Sequence, residues 1–225
     1  MKWWLPLIGM VLLAPFTPWL DQAIEHWFFT LKTPHAFVSN EWTEFVYSYL
    51  VLLAEGVIGI ALLCWVCTYL MPAWKKWRTH LLMLILPALM GAGLVVHAVL
   101  KDHWGRPRPK QTIEFGGMQE YRPFYKPNFF HQPEPSKSFP CGHCSMGFYF
   151  FAIAAVGKRL KSSFLYHGGI FAAWVLGTIL GATRMAQGGH FLSDVLVSAL
   201  ILWWVTLASE RWIYGTIDPS PTRNS

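Results

Sequence analysis

The sequence predicts an all-α, polytopic membrane protein with about six transmembrane helices, and three observations carry that prediction. Of its 225 residues 54% are hydrophobic and only 13% charged, a balance too apolar for an ordinary soluble domain. Apolar runs close to the ~20 residues that cross a bilayer recur along the chain. Aromatic residues make up 16%, with 13 Trp, which suits a protein anchored at two membrane–water interfaces. The formal charge of +6 does not point to nucleic acid, because the basic residues fall in short runs between apolar segments.

The first predicted span covers residues 3–20. Lys2 before an apolar core resembles a signal peptide, but no Ala-x-Ala site follows and Pro15 and Pro18 interrupt the run, so it reads as a retained helix. The second and third cover 46–70 and 81–100. The fourth, 144–156, is short, and its helix is expected to begin in the polar motif just before it. The fifth and sixth cover 164–183 and 191–208. No repeat divides the chain, so residues 1–225 read as a single domain, with a loose tail at about 218–225.

Charge between the spans sets an orientation. Residues 71–80 carry Lys75, Lys76 and Arg78, and residues 157–163 carry Lys158, Arg159 and Lys161, in both cases without an acid. Both loops read as cytoplasmic, together with both termini. Residues 21–45 hold Asp21, Glu25, Glu41 and Glu44 against Lys32 alone and read as an outer segment. The loop 101–142 also falls outside, yet holds seven Lys/Arg against four acids. An anionic substrate is a reason to keep that charge there. The loop is long for a connection between packed helices, and its aromatic content predicts a folded cap.

Three polar strings sit where predicted spans meet this outer side. They are Lys101-Asp-His-Trp-Gly-Arg-Pro-Arg108-Pro109, Phe139-Pro-Cys141-Gly142-His143, and Thr183-Arg184 with His190 and Asp194 beyond it. Together they suit phosphate-ester cleavage, which depends on positioning and on stabilising charge on the equatorial oxygens. Lys101, Arg108 and Arg184 are the candidate phosphate ligands, the two Arg with planar forks matched to phosphate. Neutral imidazole can attack phosphorus. His190 and Asp194 stand at i, i+4, which on a helix lets a carboxylate accept the ring N–H and fix its tautomer. His143, after Gly142 at a predicted helix start, lies where backbone N–H groups favour an anion, and can protonate the leaving group.

These strings resemble the motifs of the type-2 phosphatidic acid phosphatase (PAP2) superfamily: Lys-x6-Arg-Pro, Pro-Ser-Gly-His and Ser-Arg-x5-His-x3-Asp. Lys101, Arg108, Pro109, Pro140, Gly142, His143, Arg184, His190 and Asp194 fall on that pattern, which covers residues 101–194. The resemblance implies a six-helix bundle, no metal or other cofactor, a phosphohistidine intermediate on His190, and His143 as leaving-group acid. Cys141 and Thr183 replace the family's Ser, which puts a phosphate contact from the Cys141 side chain in doubt. The longer strings, such as Lys-Asp-His-Trp-Gly-Arg-Pro-Arg-Pro and Gln-Gly-Gly-His-Phe, are similar to the lipid A 4'-phosphatase branch. That branch implies a lipid substrate and the inner (cytoplasmic) membrane of a Gram-negative bacterium, with the site facing the periplasm. Undecaprenyl pyrophosphate or phosphatidylglycerophosphate hydrolysis, lipid phosphotransfer, and a non-catalytic lipid transporter or binding protein are the alternatives.

Blander readings stand beside these. Lys101 or Arg108 alone reads as an interfacial anchor; the ordered set does not. Arg106, Asp102 and His103 read as loop-shaping residues. Glu55 and His97, ionisable groups inside spans, read as satisfied buried polar groups. Cys141-Gly-His-Cys144 matches a thiol–disulfide exchange string, but no strand–helix unit precedes it; the spacing does allow a bridge. A metal site lacks a convincing fourth ligand.

Overall fold

The structure, a computed structural model, describes residues 4–31, 35–130 and 135–215. The tail 218–225 and Lys32 lie outside the described residues. Within them the regular structure is helical, with isolated bridges between Arg106 and Lys137 and between Thr112 and Gln119 and no strand. Five helical stretches are long and apolar enough to cross a membrane: Pro6–Thr30, Glu41–Leu70, Pro72–Lys101, Ser163–Ala186 and Leu192–Gly215. A broken sixth runs from Gly142 to Arg159.

The first rod joins α1 (Leu5–Leu13), a 3-10 turn (Ala14–Phe16) and α2 (Thr17–Thr30). Pro6, Pro15 and Pro18 each fall in the first turn of their segment, where the missing N–H is no loss. The helix therefore continues past residue 20. This corrects the reading of 21–45 as a wholly outer segment: Asp21 and Glu25 lie on α2 and are buried. Helix α3 (Glu41–Leu70) begins before residue 46 because Asn40 and Thr43 form a reciprocal capping box. Glu55, expected to be a satisfied buried group, instead faces outward on α3.

Helix α4 (Arg78–Pro87) ends at the proline, which cannot donate to the ladder, and continues as a π-helical stretch, Ala88–Lys101. Lys101 is its last residue. Helices α5 (Gly142–Phe148) and α6 (Phe151–Arg159) follow one another across Tyr149 and Phe150. They are buried on almost every face, as a helix at the centre of a bundle must be. Helices α7 (Ser163–Ala186) and α8 (Leu192–Gly215) complete the bundle. Phe148, Phe151, Ala173, Val195, Ala199 and Leu202 form the main core cluster among α5 to α8.

The bundle has two chemically different ends. At one, the basic turns before α4 and after α6 meet the end of α8: Lys158 pairs with Glu210 at 2.6 Å, Arg159 stacks over Tyr214, and His80 Nδ1 lies 3.0 Å from the Tyr214 hydroxyl. At the other end lie Lys101 and the starts of α3, α5 and α8. Over that end folds the segment between Lys101 and Gly142. Trp104 donates its indole N–H to Phe124 (2.8 Å) and packs on Phe139. Phe115 packs on His26, Phe29 and Phe37, and Lys110 N–H donates to the Gly188 carbonyl. The cap is thereby fastened to α2 and to the α7–α8 turn.

Candidate active site

The three polar strings converge at the capped end. Lys101 arrives at the end of the π-helical stretch, His143 in the first turn of α5, Arg184 in the last turn of α7, and His190 in the short turn before α8. Arg184 and Lys101 lie within electrostatic reach of His190, and both also act on His143. Arg108 acts on Lys101 and on Arg184. Among the described residues, none of Lys101, Arg108 and Arg184 forms a salt bridge. The Arg184 Nε is buried without an acceptor, the kind of open donor an anionic ligand satisfies.

Two glycines permit the close approach. A Cβ on Gly142 would lie 2.7 Å from the His97 ring and 3.0 Å from Lys101 Nζ, and one on Gly189 would lie 2.4 Å from the Arg184 guanidinium. His97, read from sequence as a buried polar group, is therefore a wall of the site beside Gly142.

His190 is buried. Its Nδ1 makes a short hydrogen bond to the Ser138 carbonyl. A carbonyl only accepts, so Nδ1 carries the hydrogen and Nε2 keeps its lone pair. The expected direct bond to Asp194 is corrected: Asp194 Oδ2 stands 3.7 Å from Nδ1, too far for a hydrogen bond. That oxygen instead accepts from Ser138 Oγ (2.6 Å) and the Phe191 N–H (2.8 Å), while Oδ1 accepts from Arg106 (2.5 Å). Asp194 thus acts on the ring through Ser138. Burial pushes the His190 imidazole down to about 4; the Asp194 carboxylate opposes the fall, and Arg184 and Lys101 add to it. The ring is neutral at physiological pH.

Cys141 and Cys144 form a disulfide. Cys141, a candidate phosphate ligand only by its place in the family motif, thus has no free thiol to offer. Its sulfur has no hydrogen to donate, its N–H donates to the Asp194 carbonyl (3.4 Å), and its carbonyl accepts from Ser198 Oγ (3.0 Å). The Gly142 and His143 N–H groups remain first-turn donors of α5.

Sequence reasoning missed four contributors. Arg106, read as loop-shaping, is buried and bonded to Asp194 and Asp21. Ser138 links Asp194 to His190. Tyr47 of α3 stacks on His143 (centroids 4.2 Å) and lies 4.9 Å from the Arg184 guanidinium. Gln187 accepts from Arg184 (2.5 Å) and donates to Glu44 (3.0 Å). Asp102 and His103 stay peripheral, Asp102 pairing with Lys137 at 2.8 Å in an exposed position.

Residues 81–217 match the PAP2 superfamily. A lipid A 4'-phosphatase of Francisella tularensis subsp. novicida is 38% identical over 139 residues, 59% of this chain and 59% of that protein. A lipid A 4'-phosphatase of Rhizobium etli is 32% identical over 124 residues, 53% of this chain and 46% of its own. A lipid A 1-phosphatase of Rhizobium johnstonii is 32% identical over 117 residues, 52% and 41% respectively. The alignments thus span about half the length of these relatives. No solved structure matches.

Proposed function

The chain belongs to the PAP2 superfamily, and from that membership we propose that it is a membrane lipid phosphatase acting on lipid A, with His190 as nucleophile. The observation that carries the reading is the tautomer of His190. Its Nδ1–H is committed to Ser138, which leaves a bare Nε2 beside cations that form no salt bridge among the described residues.

In this reading Lys101, Arg108 and Arg184 hold the phosphate oxygens. His190 Nε2 attacks phosphorus, forming the N–P bond as the P–O ester bond breaks. With the phosphate anion bound beside it, His143 takes up a proton and gives it to the departing alkoxide. Water then loses a proton to His143 and attacks phosphorus, the N–P bond breaks, and His190 returns to its starting state with inorganic phosphate released. Asp194 stays ionised and stabilises the charge that grows on the His190 ring, acting through Ser138. His190, His143 and Asp194 are the catalytic set; Gly142 lets His97 and Lys101 approach.

Lipid A is supported by the relatives, which are named lipid A phosphatases, and by the basic, aromatic cap. Purified protein in detergent is expected to release phosphate from lipid A faster than from phosphatidic acid or undecaprenyl pyrophosphate. Mass spectrometry of the product is expected to show loss of the 4'-phosphate. Faster hydrolysis of the isoprenoid diphosphate would replace lipid A as substrate and leave the phosphatase reading intact.

A bacterial inner membrane with the capped end facing the periplasm is part of the proposal, supported by the two acid-free basic turns at the other end. The fully exposed Met118 of the cap and Lys76 of a basic turn provide the test. In a variant lacking the free Cys64 and Cys67, Met118→Cys is expected to react with an impermeant thiol reagent once the outer membrane is permeabilised. Lys76→Cys is expected to stay unlabelled. The reverse pattern would place the site in the cytoplasm.

A further inference from the structure

We propose that Arg106 and Asp21 form a positioning pair for His190, so that the first rod of the bundle is part of the machinery of the site rather than only an anchor. The inference rests on the phosphatase reading for its kinetic test and on geometry for its argument. Arg106 is 1% exposed, and its guanidinium has no hydrogen left for substrate. Nε donates to the Arg122 carbonyl (2.8 Å). Nη1 donates to Asp194 Oδ1 (2.5 Å) and Ser193 Oγ (2.8 Å). Nη2 donates to Asp21 Oδ2 (2.7 Å) and the Tyr121 hydroxyl (3.3 Å). The cation also lies 4.4 Å over the ring of Phe191, the neighbour of His190. A guanidinium used on all five N–H groups in a buried site is a fixture, not a ligand.

Asp21 holds the other side. Its Oδ1 accepts the Ser193 backbone N–H (2.9 Å), and its Oδ2 accepts from Ser193 Oγ (2.7 Å) and Tyr121 (2.9 Å) as well as from Arg106. Ser193 is in the first turn of α8, so a carboxylate from the first rod supplies the acceptor that an orphan N–H there requires. From this fixture the contacts run without a gap: Asp21 to Arg106, Arg106 to Asp194, Asp194 to Ser138, and Ser138 to His190 Nδ1. Burial works against the charge of Arg106, but Asp194 and Asp21 outweigh it and hold its pKa above the ordinary value. The two carboxylates share one cation, so removing either partner leaves a buried charge uncompensated. Glu25, one turn along α2, is also buried there and has no hydrogen-bond partner, so it does not relieve the imbalance. Asp21 lies outside residues 81–217, the part that matches the family, and reaches the site from a helix that match does not cover.

The test uses the full chain in detergent, comparing Asp21→Asn, Arg106→Lys and Arg106→Gln with the unaltered protein and with His190→Ala. Phosphate release from lipid A gives kcat and KM, inhibition by inorganic phosphate reports the phosphate pocket, and 15N-histidine NMR reports the His190 tautomer independently of any substrate. His190→Ala identifies the signal. Asp21→Asn and Arg106→Gln are expected to lower kcat by about tenfold to a hundredfold, the cost of a slightly misplaced group, with KM and inorganic phosphate affinity changed by less than about threefold. Their His190 signal is expected to lose its single Nδ1–H form. Arg106→Lys keeps the charge but not the fork, and is expected to fall between. Wild-type kcat with an unchanged imidazole signal in Asp21→Asn would overturn the proposal, as would equal losses in kcat and inorganic phosphate affinity. Should Asp21→Asn not fold, Arg106→Lys carries the same readouts. Should the unaltered protein and His190→Ala release phosphate equally, the phosphatase reading fails, while the NMR comparison still decides the positioning.

Discussion

Replacing His190 by alanine is expected to remove phosphate release altogether, a loss on the order of a millionfold when a covalent nucleophile is deleted. The expectation follows from one ring with one free nitrogen. Nδ1 is occupied by the Ser138 carbonyl, and no other imidazole in the site is held the same way. Rapidly quenched unaltered enzyme is expected to carry an acid-labile phosphate on a peptide containing His190, and the variant none. Full turnover in His190→Ala would reject the assignment. The pH dependence follows from the same ring. Burial pushes its pKa down to about 4 from 6.5, so the nucleophilic, neutral form persists below pH 6.5. The acid limb of kcat/KM due to this group is expected near pH 4. The sign for stability is the same: the unfolded ring takes up a proton near pH 6.5 and the folded ring only near 4. Its contribution is complete above pH 6.5 and is lost as pH falls towards 4. An acid limb at or above pH 6.5 would contradict the buried neutral ring.

Arg184→Ala is expected to lower kcat/KM by about a hundredfold to a thousandfold, or about 3–4 kcal/mol of transition-state stabilisation, as removal of one charge-stabilising donor does. Arg184 is fixed for this role from three sides. Gln187 accepts from one nitrogen, Tyr47 lies against the guanidinium, and Gly189 leaves it room. Its Nε has no acceptor. Arg184→Lys is expected to recover only part of the loss, because an ammonium lacks the fork that meets two phosphate oxygens. Steady-state kinetics with lipid A checks both, and an unchanged kcat/KM in Arg184→Ala would remove this residue from the phosphate site.

Much of this arrangement was legible in the sequence because its residues announce themselves locally. Charges and histidines at the ends of apolar runs marked Lys101, Arg108, His143, Arg184, His190 and Asp194, and the Cys141–Cys144 spacing allowed the bridge that the structure contains. What escaped was pairing over distance. Asp21 and Arg106 are 85 positions apart, and no periodicity connects an acid on the first rod to an arginine in a loop. Acids between apolar runs usually lie outside the spans, so Asp21 reads as part of an outer segment, and Pro15 and Pro18 read as interruptions although each is a first-turn residue. Tyr47 escapes for a related reason: α3 presents it to a site assembled by other helices. The direct His190–Asp194 bond followed from i, i+4 spacing, but His190 lies before the start of α8, where helical neighbour rules do not apply.

The fastening of α8 to the first rod also sets an order of events during synthesis. Asp21 and Arg106 are made early, but Ser193 and Asp194 come with the final helix. A chain interrupted before Phe191 holds Arg106 and Asp21 but not Asp194, so the arginine has one acid partner instead of two. Leaving one charge of that buried cluster without its partner is costly. The pairing that links the first rod to the last is therefore complete only once the final span is made.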